Sequence, residues 1–169
     1  MTSLARLADR IEAALAALAD LRERTERAGP WPLAELYGTE AEAHWGPPEL
    51  LAHLDEMLPF WLGQAELVMD GAGGGGEVPF GRIADDPIRI GVIGRDRQVP
   101  LRELFDRLAS EGARVARRLR SMTAAEAAAV GIHPRLGPMT VEAQFERFVA
   151  NHLEEHVEQL RTILAERGA

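Results

Sequence analysis

The sequence predicts an all-α protein built as a four-helix bundle, and three observations support this class. Apolar residues recur at steps of three and four residues in four long segments, which is the spacing of one buried stripe on a helix. The alternating pattern of a half-buried strand is almost absent. The 169 residues suffice for one sizeable hydrophobic core, so we treat residues 1–169 as a single domain.

The composition excludes several classes of protein. The chain has no cysteine, which excludes a disulfide scaffold, a cysteine-ligated zinc site and a cysteine nucleophile. Its net charge of −8 argues against a nucleic-acid binder, which needs a basic face for phosphates. No stretch approaches the roughly 18 uninterrupted apolar residues of a membrane span. Charged residues near the start of the sequence interrupt the apolar stretch that a secretory signal peptide needs. We therefore expect a cytoplasmic protein that binds neither nucleic acid nor a membrane.

The first two helices carry recognisable start signals. Residues 3–27 hold a leucine and isoleucine stripe, and Ser3 is the predicted N-cap. The second helix is predicted over residues 48–69, because Pro48 suits a first helical turn whose N–H groups are unpaired in any case. Pro59 lies inside this pattern and predicts that the second helix is kinked or split.

A long connection separates the second and third helices. Residues 70–99 contain the glycine run 73–76, which we interpret as a flexible linker because no strand precedes it and no phosphate-loop lysine follows. The apolar residues 88–93 predict a short extended piece. A connection of this length can carry the chain back along the bundle, so that helices two and three run parallel.

The second half of the chain predicts two more long helices. The third spans residues 100–122, and residues 123–126 form a capping-box pattern that opens a short helical turn. Residues 131–138 are predicted to be a loop. The last helix is predicted over residues 140–167 and ends at Gly168.

Three of the five histidines occupy positions that their helices reserve for apolar residues. His152 and His156 are four residues apart, so their rings lie on one helical face and can reach one metal ion. His53 lies on the apolar face of the second helix and can enter the same space if helices two and four are neighbours. Three imidazoles would leave coordination positions open, as in a catalytic metal site.

Other polar residues near these histidines are secondary candidates. Glu49, Glu155 and Gln159 each lie within about a turn of a candidate ligand, where they could accept a hydrogen bond from its ring or act as a general base. Glu49 and Glu155 are the candidates for a catalytic residue. We interpret His44 and His133 as surface loop histidines. A hydrogen-bonded core role for the inward histidines is the alternative to metal binding.

Three stretches resemble the DinB-like (YfiT-like) metalloprotein superfamily. WGPPELLAHL at residues 45–54 resembles the opening of that family's second helix. HPRLGPMTV at residues 133–141 is similar to its loop before the last helix, and NHLEEHVEQL at residues 151–160 is similar to its H-x-x-x-H signature. Helix order and helix lengths extend the resemblance over nearly the whole chain.

The resemblance implies an up-down-down-up bundle with a long crossover between helices two and three. It implies a divalent metal, usually Zn²⁺ or Ni²⁺, on His53, His152 and His156. Related activities include transferases and isomerases that use a low-molecular-weight thiol such as mycothiol or bacillithiol. Members of the family are often dimers, so a homodimer is an expectation here.

Together these features predict a metal-dependent enzyme. The ion would activate water or a small-molecule thiol toward a small electrophilic substrate, in a transferase, isomerase or hydrolase reaction. The alternatives are a non-catalytic metal- or ligand-binding bundle and a dimerising interaction module. Metal binding requires neutral imidazoles, so we expect the metal affinity to fall as the pH drops below about 6.5.

Overall fold

The computed structural model describes residues 2–74 and 76–168, which are mostly helical. In chain order the helices are α1 (Ser3–Arg27), α2 (Pro47–Gly71), α3 (Pro87–Asp96), α4 (Leu101–Ser121), α5 (Ala124–Ala127), α6 (Val141–Phe145) and α7 (Asn151–Glu166). A π-helical turn over Glu146–Ala150 joins α6 to α7, and short 3₁₀ turns cover Ala41–His44 and Ala72–Gly74. Two short strands, β1 (Val130–His133) and β2 (Gly137–Thr140), pair in an antiparallel hairpin. The predicted all-α class is therefore confirmed, with one small sheet added.

The long helices enclose one hydrophobic core. Helix α1 packs on α4 and α7, and α2 packs on α3, α4 and the start of the last helical segment. The approach of α1 to α4 depends on Gly112, because a Cβ there would lie 2.1 Å from Cδ1 of Leu15. The contact between α2 and α7 is what brings the predicted metal ligands of these two helices into one space.

Helix ends follow the local chemistry of the chain. The side chain of Thr2, one residue before the predicted Ser3, caps α1 by accepting a hydrogen bond from the N–H of Ala5. Thr123 and Glu126 form the predicted capping box. Helix α2 runs through Pro59 without a break, so the chain does not split there.

The prediction of an extended piece over residues 88–93 is wrong, because this segment lies in α3. The Asp86 side chain accepts hydrogen bonds from the N–H groups of Ile88 and Arg89, which caps the helix. Ile90 and Ile93 are buried in the core. Capping and burial together outweigh the strand preference of the β-branched residues. Gly73 and Gly74 lie in a 3₁₀ turn, whereas Gly75 of the same run lies outside the described residues.

The loop predicted over residues 131–138 forms most of the β-hairpin. The backbone of Ile132 bonds to Val78 and Phe80 on the segment after the glycine run. A Cβ on Gly131 would lie 2.6 Å from Phe80, so only glycine fits between the hairpin and that segment. The hairpin thus fixes the chain that leads from α2 to α3. Within the described residues, no helix has both the length and the hydrophobicity needed to cross a membrane.

Candidate metal centre

Four side chains from three elements converge at one point. His53 extends from α2, His152 and His156 extend from successive turns of α7, and Glu42 stands on the 3₁₀ turn before α2. One ligand atom from each of the four lies within 4.8 Å of all the others. The structure therefore brings together the three histidines that the sequence selected and adds a carboxylate that the sequence analysis missed.

The contacts within this cluster are short. The Nε2 atom of His152 is 2.8 Å from Nε2 of His53 and 3.1 Å from Nε2 of His156. The Oε1 atom of Glu42 lies 3.1 Å from Nε2 of His152 and of His156, and 3.4 Å from Nε2 of His53. Four ligand atoms around a tetrahedral ion at 2.0–2.1 Å are separated by about 3.3 Å. The observed spacing of 2.8–3.4 Å thus fits a small divalent ion to within about half an ångström.

Gln159 determines which nitrogen of His156 carries the proton. Its amide nitrogen donates to the backbone carbonyls of Glu42 at 3.0 Å and Trp45 at 3.4 Å. Its Oε1 atom therefore faces Nδ1 of His156 at 2.8 Å, where it can only accept a hydrogen bond. A neutral His156 then presents a lone pair at Nε2, opposite the carboxylate oxygen of Glu42. Two acceptors in this position require a cation or an additional proton between them.

The other two histidines have different neighbours. Nδ1 of His152 lies 3.4 Å from the exposed carboxylate of Glu155. Nη2 of Arg89 lies 3.3 Å from Nδ1 and 3.5 Å from Nε2 of His53, so it is not aimed along the lone pair of either atom. Burial, followed by the positive charge of Arg89, lowers the pKa of His53 well below its usual value. His53 is therefore neutral, which is the form that binds a metal.

Glu42 is ionised in this environment. Burial alone would raise the pKa of Glu42, but its contacts with His152 and His156, followed by the nearby side chains of His53 and Arg89, hold that pKa far below the usual range. Its second oxygen accepts a hydrogen bond from Nη2 of Arg89 at 2.7 Å. The centre therefore combines three imidazoles with one carboxylate of fixed charge.

A cavity of about 160 Å³ lies next to the centre and is open to small molecules. Its polar edge is formed by Glu42, His53, Arg89 and His152. Trp61 and Phe148 also line it, and their rings stack with centroids 4.2 Å apart. Trp61 and Phe148 thus form an aromatic wall beside the charged groups of the cavity.

The remaining sequence candidates lie in other surroundings. Glu49 is fully buried, accepts a hydrogen bond from the N–H of Ala34 and pairs with Arg97, with no described contact to a histidine of the centre. His44 is exposed, as predicted. The prediction of a surface position for His133 is wrong, because only 5% of this residue is exposed.

His133 is buried because the hairpin turns it inward. Its Nδ1 atom accepts hydrogen bonds from the backbone N–H groups of Arg135 and Leu136. Its ring stacks on Phe148 and Trp61, behind the aromatic wall of the cavity. His133 therefore supports that wall and does not reach the cluster.

The sequence carries little signal for Glu42. It lies in an irregular segment without apolar periodicity, so no face can be assigned to it. The one hint is its position immediately before the helix that carries His53. Its placement depends on Gln159 of α7, a contact across 117 positions in the chain.

Comparison with known proteins agrees with this centre. A family model described as the DinB superfamily matches residues 21–160, which is most of the chain. Neither the curated proteins nor the solved structures that were compared contain a match. The DinB superfamily is metalloenzyme-like, and the His/Glu cluster found here could hold a metal ion. The chain therefore belongs to the DinB superfamily.

Proposed function

We propose that this protein is a metal-dependent enzyme in which His53, His152 and His156 hold a divalent ion, with Zn²⁺ or Ni²⁺ as the expected metal. One observation carries the proposal. The lone pair of His156 and the carboxylate of Glu42 meet at 3.1 Å, beside two further Nε2 atoms, and a cation satisfies all four groups at once. We also infer the up-down-down-up bundle topology of the family for the four long helices.

The residues around the centre have separate tasks in this proposal. Gln159 keeps the lone pair of His156 at Nε2, and burial together with the charge of Arg89 keeps His53 neutral. Trp61 and Phe148 exclude water from one side of the cavity and provide a surface for an apolar group. A bound divalent ion would lower the pKa of a water or thiol that it binds.

In the reaction we infer, water or a low-molecular-weight thiol such as mycothiol or bacillithiol attacks a small electrophilic substrate. The chain has no cysteine, so a thiolate must come from a cofactor. The protein would then be a transferase, isomerase or hydrolase of the cytoplasm, acting alone or as a homodimer. Its acidic charge supports a small-molecule substrate over a nucleic acid.

A specific observation favours a second candidate, a non-catalytic metal-binding protein. Glu42 adds a fourth ligand from the protein, and sites whose ligands all come from the protein are typically structural. Assays of turnover with the two thiols separate the candidates. A metal-loaded protein that binds thiol without converting any of a panel of electrophiles supports the second candidate.

Metal analysis of protein purified without a histidine tag tests the shared part of both candidates. We expect a bound divalent ion in the wild type, and a melting temperature that falls when a chelator removes it. The variant His152→Ala/His156→Ala should lose the ion. The exposed His44 provides the matched control, since His44→Ala removes an imidazole from outside the cluster. Equal metal content in the double variant and the wild type would contradict the proposal.

A further inference from the structure

Glu42 differs from the histidines in how it is held. The histidines extend from the long helices α2 and α7, whereas Glu42 stands on a four-residue 3₁₀ turn. The Glu42 side chain is 28% exposed, close to the 27% of His152 and well above the 3% of His53 and the 5% of His156. The carboxylate can therefore leave the cluster toward solvent by rotating its own side-chain bonds, without moving a helix.

The carboxylate of Glu42 bridges two partners that are fixed independently of it. Oε1 faces the imidazole cluster, and Oε2 accepts from Nη2 of Arg89 at 2.7 Å. Arg89 is almost completely buried, and its Nη1 donates to the backbone carbonyl of Ala84 at 2.7 Å. If the Glu42 side chain turned away, it would leave a space between the buried guanidinium of Arg89 and the imidazole cluster. That space has the size and the partners for one carboxylate.

Two cavities meet at this bridge. Each has a volume of about 160 Å³, and Glu42, Ala84 and Arg89 line both of them. One cavity continues along the stacked rings of Trp61 and Phe148. A molecule whose carboxylate took the place of the Glu42 carboxylate would therefore have room for a flat apolar group directly beside it.

We propose that Glu42 is an exchangeable ligand that occupies the binding position of a small monocarboxylate with a flat apolar group. In the exchange, one oxygen of the incoming carboxylate takes the position of Oε1 and the other accepts from Arg89. The apolar group packs against the side chains of Trp61 and Phe148. One carboxylate replaces another, so the charge of the centre is unchanged. The inference rests on the proposed function, because it requires the metal at the three histidines.

Calorimetric titration of the zinc-loaded full chain with phenylacetate tests the exchange, and phenylacetamide serves as the uncharged analogue. We expect phenylacetate to bind Glu42→Ala at least tenfold more tightly than the wild type, because the internal competitor is gone. Glu35→Ala, which removes an exposed carboxylate of the same connection that lines neither cavity, should bind like the wild type. The amide should bind none of these proteins measurably.

Further variants make the test specific. In the Glu42→Ala background, Arg89→Lys keeps a positive charge without the planar fork of donors and should weaken phenylacetate binding at least tenfold. Glu42→Gln, which keeps the side-chain volume, is titrated in parallel and should also bind more tightly than the wild type. Equal phenylacetate affinity in the wild type and both Glu42 variants overturns the exchange, and so does equal binding of acid and amide.

Zinc content measured on every sample separates this inference from the proposed function. A wild type that does not retain zinc contradicts the proposed function itself. If the wild type retains zinc and the folded Glu42 variants lose it, Glu42 is an obligatory ligand. That result overturns the exchange but leaves the proposed function standing. Circular dichroism of each variant establishes that it is folded.

Discussion

Replacement of Gln159 by alanine tests the argument about the His156 tautomer. Gln159 does not itself line either cavity and contacts none of the ligand atoms of the cluster, yet its side chain makes three contacts around the centre. It accepts from Nδ1 of His156 at 2.8 Å and donates to the carbonyls of Glu42 at 3.0 Å and Trp45 at 3.4 Å. The substitution therefore frees both the ring of one ligand and the turn that carries another.

The expected loss is one to two orders of magnitude in metal affinity. Removing the group that orients a ligating histidine typically weakens metal binding about 10- to 100-fold, which corresponds to about 1.4–2.7 kcal/mol. Gln159→Glu separates the two roles, because a carboxylate still accepts from Nδ1 but cannot donate to the two carbonyls. We expect Gln159→Glu to retain more affinity than Gln159→Ala.

Competition with a chromophoric chelator at pH 7.5 measures the metal dissociation constant of each variant. Glu158→Ala is the matched control, because Glu158 precedes Gln159 on α7 and its described side-chain contact is a surface ion pair with Arg161. The control should bind metal like the wild type. If Gln159→Ala also matched the wild type within twofold, Gln159 would not orient His156 and the tautomer argument would be wrong.

Two further predictions concern stability and are measured by urea denaturation. Burial raises the pKa of Asp55 from 3.8 to about 6, so ionised Asp55 destabilises the folded state above pH 6 and has no such effect below pH 3.8. Asp55→Asn should therefore add up to about 3 kcal/mol to the free energy of unfolding at pH 8 and nothing at pH 3.5, and an equal gain at both pH values would contradict this. Gly81→Ala should lower the free energy of unfolding by about 1–3 kcal/mol. Gly81 has a φ of +83°, and a Cβ there would lie 2.5 Å from Cδ2 of His133. An unchanged urea midpoint would refute this contact.

Most of the helices could be predicted because their signals are local. Apolar stripes at steps of three and four residues and side-chain caps such as Thr123 act within a few turns of one helix. Residues 88–93 show the limit of such signals. Their β-branched side chains favour a strand, but the Asp86 cap and the burial of Ile90 decide for a helix.

The candidate site divides in the same way. The spacing of His152 and His156 places both rings on one face whatever surrounds the helix, and the apolar face of α2 includes His53. Those three positions could therefore be selected from the sequence. Glu49, one turn before His53 on the same helix, is a candidate from its spacing as well, but the packing of its neighbours turns it toward Ala34 and Arg97.

The sequence by itself determined which faces of the helices are apolar and which imidazoles those faces carry, because helical geometry relates residues only a few positions apart. The tertiary structure alone decided that Glu42 completes the cluster and that Arg89 holds it there. These two residues lie on an irregular turn and on a helix absent from the sequence prediction. Contacts between such distant segments depend on how the helices pack, and no local spacing encodes them.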